Sequence, residues 1–284
     1  MAWGGVKPGL KDFWDRYRKK KAAVFGMFIV VFFFMVALFA PLLAPFGLLE
    51  LSGSFQPPSL VHFLGTDSLG LDVLSCVFFG ARASLMVGLF AVMTSTIIGL
   101  TVGSIAGFYG KRIDDLLMRV TEMFQVLPRF FLAIIFVAFF GPNLWNLIFV
   151  IGILTWPATA RLLRAEFLAL TKREFVEAGR AMGMSDVKLI VKEIFPNAIS
   201  PVIVNASLEI AGAILLEASL SFLGLGDPSV MSWGMMLHNS QEYFSRAWWV
   251  AAFPGLALFL TTLGLNLVGD GLNDALNPRL RGRV

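Results

Sequence analysis

Two glutamates stand in an otherwise uncharged stretch, where Asn205, Glu209, Ala213, Glu217 and Ser221 recur at every fourth position. At helical spacing these residues form a slowly slewing polar stripe on one face. A carboxylate inside an apolar helix is costly in lipid and is tolerated where it faces a bundle interior or a water-filled cavity. Glu209 is therefore the leading candidate to line a polar path through a bundle, with a helix-to-helix hydrogen bond as the alternative. Glu217 carries the stripe further along the helix, and Asn205 and Ser221 extend it to either side.

Other residue constellations point away from chemistry carried out by the chain itself. Gly107 to Arg112 holds a glycine pair and a lysine but lacks the G-x-x-x-x-G-K-[ST] spacing that cradles phosphates, so no ATPase centre is expected. Neither H-E-x-x-H nor G-x-S-x-G occurs. His62 and His238 fall in separate segments and Cys76 is the one cysteine, which excludes an intrachain disulfide and a Cys-based zinc site and leaves no metal site to propose. Gly224 to Asp227 spells the G-x-G-D of intramembrane aspartyl proteases, but none of Tyr17, Tyr109 and Tyr243 is followed by the second aspartate such enzymes need. Asp227 precedes Pro228 and reads as a loop turn. No catalytic residue and no cofactor of its own are expected of this chain.

The elements that position these residues are membrane spans. A composition 57% hydrophobic and 15% charged, with 28 phenylalanines among 284 residues, suits lipid rather than water as the solvent. The net charge of +4 lies beside apolar runs, which favours a membrane surface over nucleic acid as its partner. A bilayer core of about 30 Å takes roughly 20 helical residues, and six stretches qualify: about 22–44, 83–108, 116–140, 144–162, 199–222 and 247–268. The third is assembled from a short apolar run broken off at Gly141-Pro142-Asn143, and carries Arg119, Glu122 and Arg129 near the membrane edge. The first run is too long for a signal peptide. The expected organisation is a segment 1–21, an all-α polytopic bundle over 22–270 with a loop at 163–197, and a tail 271–284.

Lysine and arginine orient the bundle. With both ends cytoplasmic, the inside segments hold 7, 3, 7 and 3 of these residues, or 20 of 23, and only Arg82 and Arg246 fall outside. The first outside segment, Pro45 to Arg82, is expected to hold a short surface helix near Leu69 to Phe79 that Asp67 caps.

The inside loop from Arg161 to Asn197 has the most specific pattern. Glu174 to Met182 reads as a short helix with Gly183 as its permissive end. Ser185 with Asp186 reads as the next N-cap, Val187, Ile190, Val191 and Ile194 recur at helical spacing, and Pro196 closes that helix. Such a knob could seat in another protein's groove; alternatively Arg173, Glu177 and Arg180 are surface pairs on a solvated connector. The string Glu177-Ala178-Gly179, then Gly183, then Ile194-Phe195-Pro196 resembles the EAA loop of ABC importer permeases. Gly179 stands where that family often has alanine, and Phe195 departs conservatively.

The resemblance reaches over nearly the whole chain, to the membrane subunits of dipeptide, oligopeptide and nickel importers. It is carried by Gly65-Thr66-Asp67, Gly70 and Asp72-Val73-Leu74-Ser75, by Glu217 through Gly226, by Ser232-Trp233-Gly234, and by Asn277-Pro278-Arg279-Leu280-Arg281. Leu71 and Cys76 replace arginines common in the family. The short first outside segment is like that of the C-type subunit. The resemblance implies a type I permease fold in a prokaryotic cell membrane, with a coupling helix formed by Glu177, Ala178, Gly179 and Gly183 and closed by Pro196. It also implies a second homologous permease subunit, two ATPase subunits that bind ATP and Mg, an extracytoplasmic solute-binding protein, and import of di- or oligopeptides by alternating access, with nickel as the alternative cargo and a channel or protease as the alternative classes. Within the second span, Ala91, Ser95, Gly99, Gly103 and Gly107 place a small residue at every fourth position, a face for close helix packing.

Overall fold

The structure is a computed structural model that describes residues 10–48 and 50–276; the Asn277-Pro278-Arg279-Leu280-Arg281 string lies outside the described residues. Its helices are α1 (Leu10–Tyr17), α2 (Lys21–Leu43), α3 (Val73–Tyr109), α4 (Lys111–Val126), α5 (Arg129–Phe140), α6 (Leu144–Leu170), α7 (Glu174–Ala181), α8 (Asp186–Lys188), α9 (Phe195–Leu220), α10 (Trp233–Ser240) and α11 (Trp248–Leu276). No strand occurs among the described residues; one isolated antiparallel bridge joins Thr66 to Asp72. Five helices are long and apolar enough to cross a membrane, and α4 with α5 passes the same test as a pair bent by 84°.

Glycines set the spacing of the central pair, α3 and α6. A Cβ on Gly99 would lie 2.7 Å from the Thr159 Cβ, one on Gly103 2.5 Å from the Ala160 carbonyl, and one on Gly107 2.5 Å from the Phe167 Cβ. Each distance is shorter than carbon atoms tolerate, so the backbones meet as closely as they do because these positions lack side chains. The contacts advance in step along both helices, so α3 and α6 run parallel. Two parallel spans joined in sequence require a return crossing, and α4–α5 is the segment available to make it. The bundle therefore has six crossings, the third of them bent.

The bend has a local cause. Pro128 follows Leu127, which it holds extended (φ −91°, ψ 140°), and a helix cannot continue through that residue. The expected uninterrupted third span over 116–140 is thus corrected to two helices meeting at a corner.

Three further expectations are corrected. No separate surface helix occupies Leu69 to Phe79, because nothing from Val73 to Tyr109 breaks the helix and those residues are simply the start of the 37-residue α3. Its cap is Asp72, which accepts the Ser75 N–H at 2.9 Å, while Asp67 accepts from Leu69 and Leu71 and shapes the preceding turn. Ser185 holds the N-cap position of α8 without a side-chain cap bond. Pro196 does not close a helix. The chain runs from α8 through a π-helical stretch, Leu189–Ile194, directly into α9, with Pro196 in its first turn. A proline lacks the N–H for an i→i−4 bond and crowds the carbonyl four residues back; a widened turn ahead of it relieves both conflicts.

The side of α7 is stapled by α1 and α11. Tyr17 donates to the Ala23 carbonyl at 3.1 Å, and Lys20 pairs with Asp274 at 2.7 Å. At the opposite side Trp233, fully buried, donates its indole N–H to the Val77 carbonyl at 3.0 Å and anchors α10 among α2, α3 and α11.

Candidate functional site

The helix–turn–helix knob is built on its turn. Gly183 takes φ +77°, which a side chain would resist. There the Gly183 N–H reaches the Arg180 carbonyl and the Met184 N–H reaches the Gly179 carbonyl, both at 3.0 Å. This is a Schellman ending, and it turns Met184 back onto the helix it terminates. On the inner face Val176 is fully buried, and a Cβ on Gly179 would lie 2.7 Å from Leu189. Gly179 therefore packs against the knob's own second arm and is not part of the outward surface. Glu174, Phe175, Glu177, Ala178 and Met182 make up that surface, two carboxylates around an apolar centre.

What lies beneath α7 determines what a push on it would do. Val176, Leu189 and Ile194 share one apolar cluster with Phe108 of α3, Leu163 and Phe167 of α6, and Ala198 and Val202 of α9. Arg180 does not pair with Glu177; its guanidinium lies 5.5 Å from the Phe108 ring centroid, a cation–π contact. Arg164 grips Asp114 with two hydrogen bonds, one of 2.6 Å from Nη2, which ties the first turn of α4 to α6. The sequence reading missed this pair and the Arg180 contact. Partners about 50 and 70 residues apart leave no local signal.

The stripe on α9 divides into two nodes. In the first, Asn205 donates to the Thr159 hydroxyl at 3.2 Å, and Thr159 and Ser95 donate to the Glu209 carboxylate at 3.3 and 3.4 Å. Helices α3, α6 and α9 thus meet on one half-buried acid. Ser95 belongs to the small-residue face, and Ala91 on the same face packs against Gly152 of α6. The second node lies two turns further along. Glu217, 1% exposed, accepts on Oε1 from Ser221 at 2.7 Å and from Ser232 at 2.9 Å, while its Oε2 has no partner. Ser232 also caps α10, and a Cβ on Gly234 would lie 2.7 Å from Ala218, so α10 is locked onto the end of α9. Buried Ala213 lies between the nodes, and the two glutamates share no hydrogen-bond partner.

Asp227 has a structural part of the kind a loop turn supplies. One oxygen accepts from the Ser229 N–H and hydroxyl, and the other accepts from the Leu144 N–H at 3.0 Å, which holds the start of α6. Burial works to raise its pKa, but these three hydrogen bonds outweigh it and keep the carboxyl below the usual range. Sequence reading also left His62 unassigned. It is buried, stacks on Phe46 at 4.7 Å between ring centroids, and pairs through Nδ1 with Asp72 at 3.0 Å, clipping the outer segment to the cap of α3.

A family profile described as the binding-protein-dependent transport system inner membrane component matches residues 99–282. The chain belongs to that family. A second profile, the N-terminal membrane domain of oligopeptide transport permease C, matches residues 10–58. Among curated relatives, a dipeptide transport system permease protein of Alkalihalophilus pseudofirmus is 40% identical over 274 residues, covering 95% of this chain and 90% of that one. A di/tripeptide transport system permease protein of Pseudomonas aeruginosa is 41% identical over 281 residues, 96% of this chain and 93% of the relative. A glutathione transport system permease protein of Pectobacterium atrosepticum is 37% identical over 280 residues, 97% and 93% of the two chains. The fold is like that of an inward-facing methionine ABC transporter, with a TM-score of 0.60 at 18% identity over 72% of this chain and 97% of that chain. The inner membrane component described here is accordingly a multi-pass helical membrane protein of a transport system, and its architecture is that of ABC importer permeases.

Proposed function

We propose that this inner membrane component carries di- or oligopeptides across the membrane by alternating access, driven by ATPase subunits that seat α7. The observation that carries the reading is the mounting of α7: an exposed surface of Glu174, Phe175, Glu177, Ala178 and Met182 on one face, and a cluster reaching the feet of α3, α6 and α9 on the other. A displacement imposed on that surface passes to three spans at once, because close-packed interiors transmit strain instead of absorbing it. Glu177 supplies polar contact, Ala178 lets the partner approach, Gly183 holds the turn, and Gly179 and Pro196 keep the knob and its stem in register. The same three spans converge on Glu209, so motion at α7 reaches the polar node in mid-bundle. Glu209 with Asn205 faces the path, whereas Glu217 with Ser221 holds the outer end of α9 to α10.

The family and the charge distribution support the further assembly. A second, homologous permease subunit completes the path, two ATPases supply ATP and Mg chemistry that this chain has no residues to perform, and an external binding protein delivers the cargo. The basic segments beside α2, α4 and α7 favour a cytoplasmic side for both ends and α7. The peptide cargo rests on the relatives named above, which are dipeptide, di/tripeptide and glutathione permeases.

Replacing Glu177 by Ala together with Gly183 by Val tests the coupling. The variant should reach the membrane at the normal level and lose most ATP-dependent peptide uptake. Uptake at the wild-type rate would overturn the assignment of α7.

A further inference from the structure

Between α2 and α3 lies a groove of about 170 Å³ walled by Phe34, Ala37, Leu38, Leu85, Met86 and Leu89, with Arg82 as its one charged residue. We propose that this groove is a binding site for an anionic phospholipid, whose acyl chain lies along the apolar wall and whose phosphate is held by Arg82.

Depth supports the assignment. Arg82 lies nine residues into α3, about 14 Å from its start at the face remote from α7, and Leu89 lies about 10 Å deeper at 1.5 Å per residue. Phe34 to Leu38 sit about 20–26 Å along α2 from Lys21, which brings them to the same half of the bundle. The guanidinium is thus at the shallow end of the groove and the apolar wall runs from it toward the bilayer centre, the order in which a phospholipid presents phosphate and chain.

Charge supports it as well. Among the described residues Arg82 makes no ion pair, hydrogen bond or aromatic contact, whereas Arg246, the other basic residue on that half, lies over the Phe55 ring at 4.8 Å. A guanidinium that meets a phosphate does so with two parallel N–H bonds, which a lone exposed arginine has free to offer. The walls are open to the surroundings, with Phe34 52%, Leu38 59% and Leu89 50% exposed. The inference needs α2 and α3 to span the membrane and the groove to face lipid in the assembled transporter, and neither condition involves α7, so its failure would not touch the coupling assignment.

The test uses the transporter assembled with its partner subunits, placed in nanodiscs of phosphatidylcholine doped with phosphatidylglycerol and released for native mass spectrometry. Wild type should retain one phosphatidylglycerol per copy of this chain, and Arg82→Lys, which keeps the charge without the paired N–H donors, should retain it more weakly. Retention should fall several-fold in Arg82→Gln, which removes the charge, and in Leu85→Trp, which fills the groove, with assembly unchanged. Undiminished retention in either variant would overturn the site, as would equal retention of phosphatidylcholine. A photo-cross-linking residue at Leu38 should label lipid; a label on another polypeptide would overturn the proposal by making the groove a subunit seam.

Discussion

Glu217 and Glu209 belong to one stripe on α9 yet differ in what surrounds each oxygen. Glu217 is dry, with two hydroxyls on Oε1, so Glu217→Ala strands both serines in a buried site at a cost of about 1–3 kcal/mol for each unsatisfied group. Glu217→Gln keeps an amide oxygen to accept them. The melting temperature of the purified transporter should therefore fall clearly for the alanine variant and much less for glutamine; equal losses would remove the serine clamp as the reason. At Glu209, half-buried and held only by bonds of 3.3–3.4 Å, the expectation reverses. Glu209→Gln should assemble and melt like wild type but import peptide more slowly, and unchanged uptake kinetics would take Glu209 off the path. The four-residue spacing of the stripe was readable from the chain. Its division was not, because the deciding partners, Ser95, Thr159 and Ser232, lie 114, 50 and 15 residues away from the acids they serve.

Among the helices, packing at glycine makes the sharpest contrast. Gly103 faces the Ala160 carbonyl so closely that a methyl group cannot fit, whereas a Cβ on Gly212 would meet nothing within 4 Å. Gly103→Val should overpack the α3–α6 seam, costing about 1–3 kcal/mol by the usual penalty for added core volume, and should lower the amount of assembled transporter. Gly212→Ala should be neutral or stabilise α9 by about 0.5–1 kcal/mol, the helix propensity difference. Comparable losses at both positions, read by size-exclusion profile and melting temperature, would refute glycine-limited packing. The small-residue face that specifies this seam was plain in the sequence because close approach demands a particular residue type. Helix ends were harder to read. Pro128 breaks the expected span, which reaches back to residue 116 because the apolar run after Pro128 is too short to cross alone, while Pro196, which looked like a stop, sits in a first turn where its missing N–H costs little. A proline's effect depends on whether the turn before it can widen, and residue type alone does not carry that.

For the whole molecule, the decisive relation is the parallel course of α3 and α6, since it forces α4–α5 to be a crossing and thereby puts α7 and both flanking helices, α1 and the end of α11, on one side. Composition found five of the six crossings directly. The sixth, expected over 116–140, is weakly apolar in its first half because α4 carries Asp114, which meets Arg164, and Asp115, Arg119 and Glu122, which line a cavity with Arg161, so it was less directly legible than the others. The crossing can be tested without reference to transport. Cys76 is buried, so single cysteines introduced at Arg112, in the first turn of α4, and at Pro142, between α5 and α6, report to an impermeant thiol reagent against a quiet background. If α4–α5 returns across the bilayer, Arg112→Cys should react only in inside-out vesicles, together with a cysteine placed at Ala178 on α7, and Pro142→Cys only in intact cells stripped of their outer layers. Labelling of Arg112→Cys and Pro142→Cys from the same side would make the bent pair re-entrant, reverse α6 relative to α3, and leave the stepwise contacts of Gly99, Gly103 and Gly107 without a chain path that could produce them.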